Sequence, residues 1–164
     1  MSKKLNNSGN IVNINETING LPYFHKPTTD PNELKIARLI KRNPHPHIVK
    51  IYRVGENYVD MELVNVYVSK GACLEQEDGL RRAKDHMHRY GIVYLDWKAD
   101  NMGRGEDGRI KLYDFDMSGL LRRGTNNWNR PPTYKGYLFR QAENAGQVRP
   151  ISIDNWIFER FTKR

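Results

Sequence analysis

The chain opens with short alternating segments and passes to longer periods further on. Ile11-Val12-Asn13-Ile14 predicts a strand, and Leu21-Pro22-Tyr23-Phe24-His25-Lys26 predicts a second, preceded by the hairpin signal Asn19-Gly20. Pro22 has no amide donor, so this strand is expected at an edge or to begin late. Asp30 is placed to cap a helix, with Pro31 at its first position and Glu33 three residues after the cap. The helix runs to about Arg42 and stops before Asn43-Pro44. Ile36, Ala37 and Ile40 follow Glu33 by three, four and seven residues, so Glu33 shares the apolar face. Two roles are open to it: closing a capping box, or turning inward to pair with a cation of the strand before. Ile48 to Val54 alternates as a strand, Gly55-Glu56-Asn57 turns, and Tyr58 to Leu63 returns. A loop around Ser69-Lys70-Gly71 leads to a mainly polar helix from about Glu75 to Tyr90. Its buried stripe is Leu80, Ala83 and Met87, with Gly91 as the C-cap. Ile92-Val93-Tyr94 is short and apolar, Arg109 to Tyr113 is a strand after Glu106-Asp107-Gly108, and Ser152 to Phe161 has Ile153, Trp156, Ile157 and Phe161 at helical spacing. Strands, helix, strands, then helices and loops predict an α+β fold in two lobes joined near Val64-Asn65.

The length, 164 residues, allows one domain or two small lobes sharing a core. The apolar runs are too short to cross a bilayer, and the basic N-terminus has no apolar segment of a secretion signal, so an intracellular, cytoplasmic protein with no membrane partner is expected. The single cysteine, Cys73, excludes an internal disulfide framework and a cysteine-based zinc site. The net charge of +8 invites a nucleic-acid reading, but no recognition motif accompanies it, so nucleic acid is not an expected partner. The basic residues are biased locally. Met117 to Ala142 holds Arg122, Arg123, Arg130, Lys135 and Arg140 and no acid, and its Asn and Pro residues predict a long irregular loop. That loop is either a solvated basic segment or a surface that attracts an acidic protein or phosphate-bearing partner.

The chemistry concentrates in two clusters. Asp96-Trp97-Lys98-Ala99-Asp100-Asn101 follows the apolar Ile92-Val93-Tyr94, and Asp114 stands thirteen residues after Asn101, in Lys111-Leu112-Tyr113-Asp114-Phe115-Asp116. Such clusters beside strand-like segments suit a metal–phosphate site. Mg²⁺ takes oxygen ligands and keeps some from the phosphates, so one carboxylate and one amide suffice from the protein. A second carboxylate can orient a hydroxyl and accept its proton, and a lysine two residues on can offset the charge of a transferred phosphoryl group.

Met87 to Asn101 resembles the end of the αE helix and the catalytic loop of eukaryotic-type protein kinases, with the D-x-K-x-x-N spacing intact as Asp96, Lys98 and Asn101. The lysine is similar to the Ser/Thr-kinase form. Asp114-Phe115-Asp116 resembles the metal-binding D-F-G with its glycine replaced. Asn43 to Tyr52 is similar to the H-P-N-I-V turn, Tyr58 to Val64 to the fifth strand and hinge, and Ile153-Asp154-Asn155-Trp156 to the start of αF. The resemblance runs from about Gly9 to about Phe161. It implies a single kinase-like domain over 1–164, with a small antiparallel-sheet N-lobe over about 8–64 and a truncated helical C-lobe over about 66–164. It further implies Asp96 as catalytic base, Lys98 as phosphate contact, and Asn101 and Asp114 as Mg²⁺ ligands. Lys26 would hold the α and β phosphates of ATP with Glu33 as its helix partner, Met61 would be the gatekeeper, and Glu62 to Val64 would face the adenine. The two H-x-H pairs, His45/His47 and His86/His88, then fall at the turn after αC and on αE, which places them as structural rather than metal-binding.

The departures shape the expectation. Of the glycine-rich loop only Ser8-Gly9-Asn10-Ile11-Val12 remains, with Gly9 its phosphate-facing member, so weak nucleotide affinity is expected. Leu95 stands where many of these kinases carry arginine, so activity independent of phosphorylation at Thr125 is expected. Tyr94 replaces histidine and is expected to pack on Asp114 or Phe115. Asp116 adds a charge near the metal and a third candidate ligand. The αF-like segment is the last, so an exposed C-lobe surface open to a partner kinase or a second copy is expected; such compact forms resemble kinases of large DNA viruses or mobile elements. The readings are a Ser/Thr-directed protein kinase, a degenerate kinase module that regulates another kinase, and a kinase-like enzyme acting on a small molecule.

Overall fold

A four-stranded antiparallel sheet and one helix carry the first third of the chain. The computed structural model describes the backbone of residues 3–5, 11–13 and 17–163, and side chains over 17–163. β1 (Lys3–Leu5) pairs antiparallel with β2 (Ile11–Asn13). Ile14 and the candidate phosphate-facing Gly9 lie outside the described residues. β3 (Thr17–Ile18) and β4 (Leu21–Pro27) form the hairpin at Asn19-Gly20, whose φ angles of 54° and 79° are both left-handed, as a tight type I′ turn requires. The strand entering that turn is thus Thr17–Ile18, not the segment around Ile11.

With β5 (Ile51–Val54) and β6 (Tyr58–Glu62) the sheet order is β3-β4-β6-β5. β4 is therefore interior, not an edge. Pro22 is accommodated because pairing with β6 starts at Tyr23, so Pro22 has only Thr17 of β3 opposite. α1 (Pro31–Arg42) begins as its sequence dictates: the Asp30 carboxylate accepts from the Asn32 amide at 3.0 Å, with Pro31 in the first turn. The Asp30 amide donates to Thr28 Oγ1 and not to Glu33, so no capping box closes and Glu33 is buried.

The segment around Ser69-Lys70-Gly71 is a helix start and not a loop. Ser69 caps α2 (Lys70–Glu75), its hydroxyl accepting from the Ala72 amide at 3.1 Å. Gln76 then separates α2 from α3 (Glu77–Arg89). Leu80, Ala83 and Met87 are fully buried along α3, and Gly91 ends the turn after it with φ 76°. There follow β7 (Ile92–Val93), a 3₁₀ turn over Ala99–Asn101, the hairpin of β8 (Met102–Arg104) and β9 (Ile110–Leu112), β10 (Gly119–Leu121), β11 (Trp128–Arg130), α4 (Tyr137–Asn144) and α5 (Pro150–Thr162).

The basic stretch from Met117 to Ala142 is more ordered than its composition suggests. It holds β10, β11 and the first part of α4, and β10 pairs with both β7 and β11. Gly119, Leu120 and Leu121 are all buried, so the strand has no polar face to announce it. One apolar core runs from Ile36 and Ile40 of α1, through Leu80 and Met87 of α3 and Leu112 of β9, to Ile157 and Phe158 of α5. Among the described residues no helix is long and apolar enough to cross a membrane.

Candidate active site

The loop that follows β7 is held from beneath by a buried acid. Ile153, Ile157 and Phe161 seat α5 in the core and bring Asp154, 0% exposed, under the loop. Its carboxylate accepts from the amides of Tyr94 (3.2 Å) and Leu95 (2.9 Å) and from Trp97 Nε1 (2.8 Å), and it meets His88 Nε2 at 2.6 Å. Leu95 adopts φ 72°, a left-handed backbone that costs a branched residue about 1–3 kcal/mol. The Asp96 amide donates to Tyr94 O at 2.9 Å across it, closing a three-residue turn. The bonds to Asp154 sustain that turn, and the turn aims Asp96 outward. Leu95 itself is buried, so the position where arginine was absent is part of the packing.

Asp96 and Asn101 form one unit. Asn101 Nδ2 donates to the Asp96 backbone carbonyl (2.8 Å) and to Oδ2 (2.6 Å). The amide nitrogen is thereby spent, which leaves Oδ1 as the acceptor that Asn101 can offer to the cavity it lines. Lys98 Nζ stands 4.0 Å from Asp96 Oδ1 and is exposed. From the other side, Lys26 of β4 reaches Glu33 Oε2 at 2.7 Å and Asp114 Oδ1 at 3.1 Å. The inward-facing Glu33 of α1 is thus a partner for the strand lysine. Burial disfavours the Lys26 charge, but the Asp114 and Glu33 carboxylates outweigh it and hold its pKa above the ordinary value.

Asp96, Lys98, Asn101, Asp114 and Asp116 line one cavity of about 490 Å³, walled on its far side by Tyr134 and Tyr137. The candidate ligands Asn101, Asp114 and Asp116 offer hard oxygens, an amide and two carboxylates, which suit Mg²⁺ sharing its shell with phosphates. Among the described residues no three His, Cys, Asp or Glu side chains group closely enough to hold a metal by themselves. The paired histidines have other duties: His47 Nδ1 meets Ile110 O at 2.8 Å, and His86 Nε2 meets Asn43 O at 2.8 Å.

Met61, Glu62 and Val64, expected around the adenine, do not line this cavity. Met61 is buried in the sheet between Phe24 and Ile51. The Glu62 carboxylate does not face the cleft: it accepts from Lys111 Nζ at 2.8 Å and from the Lys50 amide at 3.1 Å, beside a separate small cavity. Lys111 is itself buried, and a buried ammonium needs that partner more than an adenine does. Val64 is buried against Gly103, where a Cβ would lie 2.4 Å from Val64 Cγ2, and Asn65 pairs with Arg104 through two backbone bonds.

Tyr94 packs edge-on against Phe115 and Trp97, with ring centroids 5.7 and 4.9 Å away. Its hydroxyl is buried with no hydrogen-bond partner among the described residues. Tyr94→Phe removes that unsatisfied group and keeps the ring, so it is expected to stabilise the protein by about 1 kcal/mol in urea unfolding. A loss of stability would contradict this reading of the site.

Partial desolvation at the cavity wall and the adjacent Asp114 carboxylate push Asp116 up to about 6. Folding therefore favours its protonated form. That contribution is complete below the ordinary carboxylate range and is lost as pH rises through about 6. Asp116→Asn, neutral throughout, is expected to gain about 1 kcal/mol relative to wild type between about pH 4 and pH 7, a figure reduced because water screens this exposed side chain. Urea midpoints at both pH values measure it; an equal difference at the two would sink the assignment.

No family model matches the chain. Individual proteins do. The carbon catabolite-derepressing protein kinase of Secale cereale is 29% identical over 134 residues, 68% of this chain and 27% of its own length. The serine/threonine-protein kinase SIK3 homolog of Danio rerio is 31% identical over 148 residues, 77% of this chain and 12% of its own. The ribosomal protein S6 kinase alpha-2 of Mus musculus is 31% identical over 131 residues, 70% of this chain and 18% of its own. The fold is protein kinase-like. In this kinase-like fold the antiparallel sheet and α1 supply Lys26 and Glu33, and the loops after β7 and β9 supply Asp96, Asn101 and Asp114. The chain spans about a quarter or less of the length of these curated relatives. The residue that site-directed reading of the sequence left without a task is Asp154. Its signal was available: an acid followed by Ile157, Phe158 and Phe161 at three, four and seven residues, the same pattern that marks Glu33.

Proposed function

We propose that the chain is a protein kinase domain spanning 1–164, in which an N-lobe over about 8–64 reaches a helical C-lobe from about 66 through Lys26 on Asp114, at the edge of the cavity. It moves the γ-phosphoryl group of MgATP to a Ser or Thr hydroxyl of an intracellular protein. One observation carries the reading: Asp96, Lys98, Asn101 and Asp114 line a common cavity, while Lys26 joins Asp114 to a buried Glu33.

The roles follow from the geometry. Asp96, fixed by Asn101, accepts the proton of the incoming hydroxyl as its oxygen bonds to phosphorus. Lys98, exposed at the mouth, offsets charge on the transferred group. Lys26, held by Glu33, is placed for the α and β phosphates. Asp114 and the carbonyl oxygen of Asn101 would hold Mg²⁺, with Asp116 as a further ligand, and the bound ion would neutralise charge on the phosphates. Tyr134 and Tyr137, both exposed, form the wall along which a substrate segment would lie.

A second reading, a module that binds and regulates another kinase, is supported by Val64 seated on Gly103 and by a Glu62 carboxylate committed to Lys111. Incubation with γ-labelled ATP and Mg²⁺ separates them. The kinase reading expects label in the chain or in an added protein substrate. ATP consumed with no label in protein points to a small-molecule acceptor, and no ATP consumed leaves the regulatory module.

A further inference from the structure

A second cavity, of about 950 Å³, lies away from the one that holds Asp96. One wall is α1, where Lys35, Arg38 and Arg42 repeat at helical spacing on a single face. Arg89, at the end of α3, and Arg122 and Arg123, after β10, form the other walls. All six cations are exposed, and no acid lines the groove. None of the six forms a salt bridge among the described residues; Arg38 donates only to the Gly55 backbone carbonyl, at 3.2 Å. By contrast, Lys26, Lys111, Arg53, Arg81 and Lys135 are all matched to carboxylates.

Six cations from three elements repel one another, and no carboxylate of the described residues pairs with them. Between them lies apolar surface, Leu39 of α1, Tyr90 and Ile151 of α5, over a floor of the buried Leu120 and Leu121 of β10. A ligand that fits must bring several negative charges and apolar groups together. A nucleic acid brings the charge, but it needs aromatic faces on which bases stack, and Tyr90 is the single aromatic ring besides His88 in the lining. We propose that this groove docks an acidic segment of a partner protein, its carboxylates on Lys35, Arg38, Arg42, Arg89, Arg122 and Arg123 and its apolar side chains on Leu39, Tyr90 and Ile151. This goes beyond the phosphotransfer reading and does not depend on it.

The test is fluorescence anisotropy without nucleotide. The probes are a labelled twelve-residue peptide of alternating Glu and Leu, its Lys-and-Leu counterpart, and a single-stranded oligonucleotide of twelve nucleotides. The acidic peptide is expected to bind, and to weaken as salt rises. The triple variant Arg42→Glu, Arg122→Glu, Arg123→Glu is expected to weaken it at least about tenfold, and so is the double variant Lys35→Glu, Arg89→Glu, which keeps the test alive if the first fails to fold. Arg140→Glu, a surface change outside the groove, is expected to leave binding unchanged. Failure of the acidic peptide to bind, equal binding by the basic peptide, or an effect of Arg140→Glu as large as that of the groove variants overturns the proposal. Tighter binding of the oligonucleotide, lost in the groove variants, overturns it in favour of nucleic acid.

Discussion

Asp154→Ala is expected to cost about 3–5 kcal/mol of stability, because it strips a buried network of its only carboxylate. The amides of Tyr94 and Leu95 and the Trp97 indole N–H would all lose their acceptor in a site without water access, and His88 would lose its partner. For a chain of this size such a loss lowers the melting temperature by roughly 10–15 °C. The left-handed backbone at Leu95 would lose its support at the same time, so the loop that aims Asp96 should relax even in the molecules that stay folded. Asp154→Asn retains one acceptor oxygen and should fall between wild type and alanine. Melting curves and ATP turnover on the three proteins check both halves. Turnover that survives unchanged in Asp154→Asn, with stability reduced, would confine Asp154 to a packing role.

Asp96→Ala is expected to lower phosphoryl transfer by about 10²–10⁴-fold, the range for losing a general base, with little change in stability. The side chain is partly exposed, and Asn101 keeps its second bond, to the Asp96 backbone carbonyl, when the carboxylate is gone. Nucleotide binding should therefore persist while kcat collapses and KM for ATP holds. Equal loss of nucleotide binding and turnover would instead make Asp96 a structural member of the loop.

These effects rest on features that the sequence displays unevenly. Asp30 and Pro31 mark the start of α1 because capping is local chemistry, settled within four residues. The alternatives left open for Glu33 needed the fold to decide between them: only the approach of Lys26 from β4 makes the inward position favourable. Asp96, Lys98, Asn101 and Asp114 could be grouped because their spacing places them at the ends of apolar segments, and the structure brings their side chains to one cavity. Glu62 could not be placed this way. Its carboxylate is drawn off by Lys111, forty-nine residues on, and no short-range pattern reports such a pairing. The basic stretch after Met117 misled in the opposite sense. Its strands are three residues long and β10 is buried on every side, so neither alternation nor length separates them from loop. What composition did report there, an excess of cations without acids, survives in the groove beside α1.

The proposed phosphotransfer requires Asp114 and Asn101 to hold a divalent cation that in turn holds a nucleoside triphosphate. A melting-temperature series with ATP alone, Mg²⁺ alone and both tests it most directly, comparing wild type with Asp114→Asn. A ligand at about a hundred times its dissociation constant adds about 2.7 kcal/mol, a shift of several degrees. Wild type is expected to show that shift only when both are present, and Asp114→Asn to show none. A shift of the same size with and without Mg²⁺, or one that survives in Asp114→Asn, would contradict it.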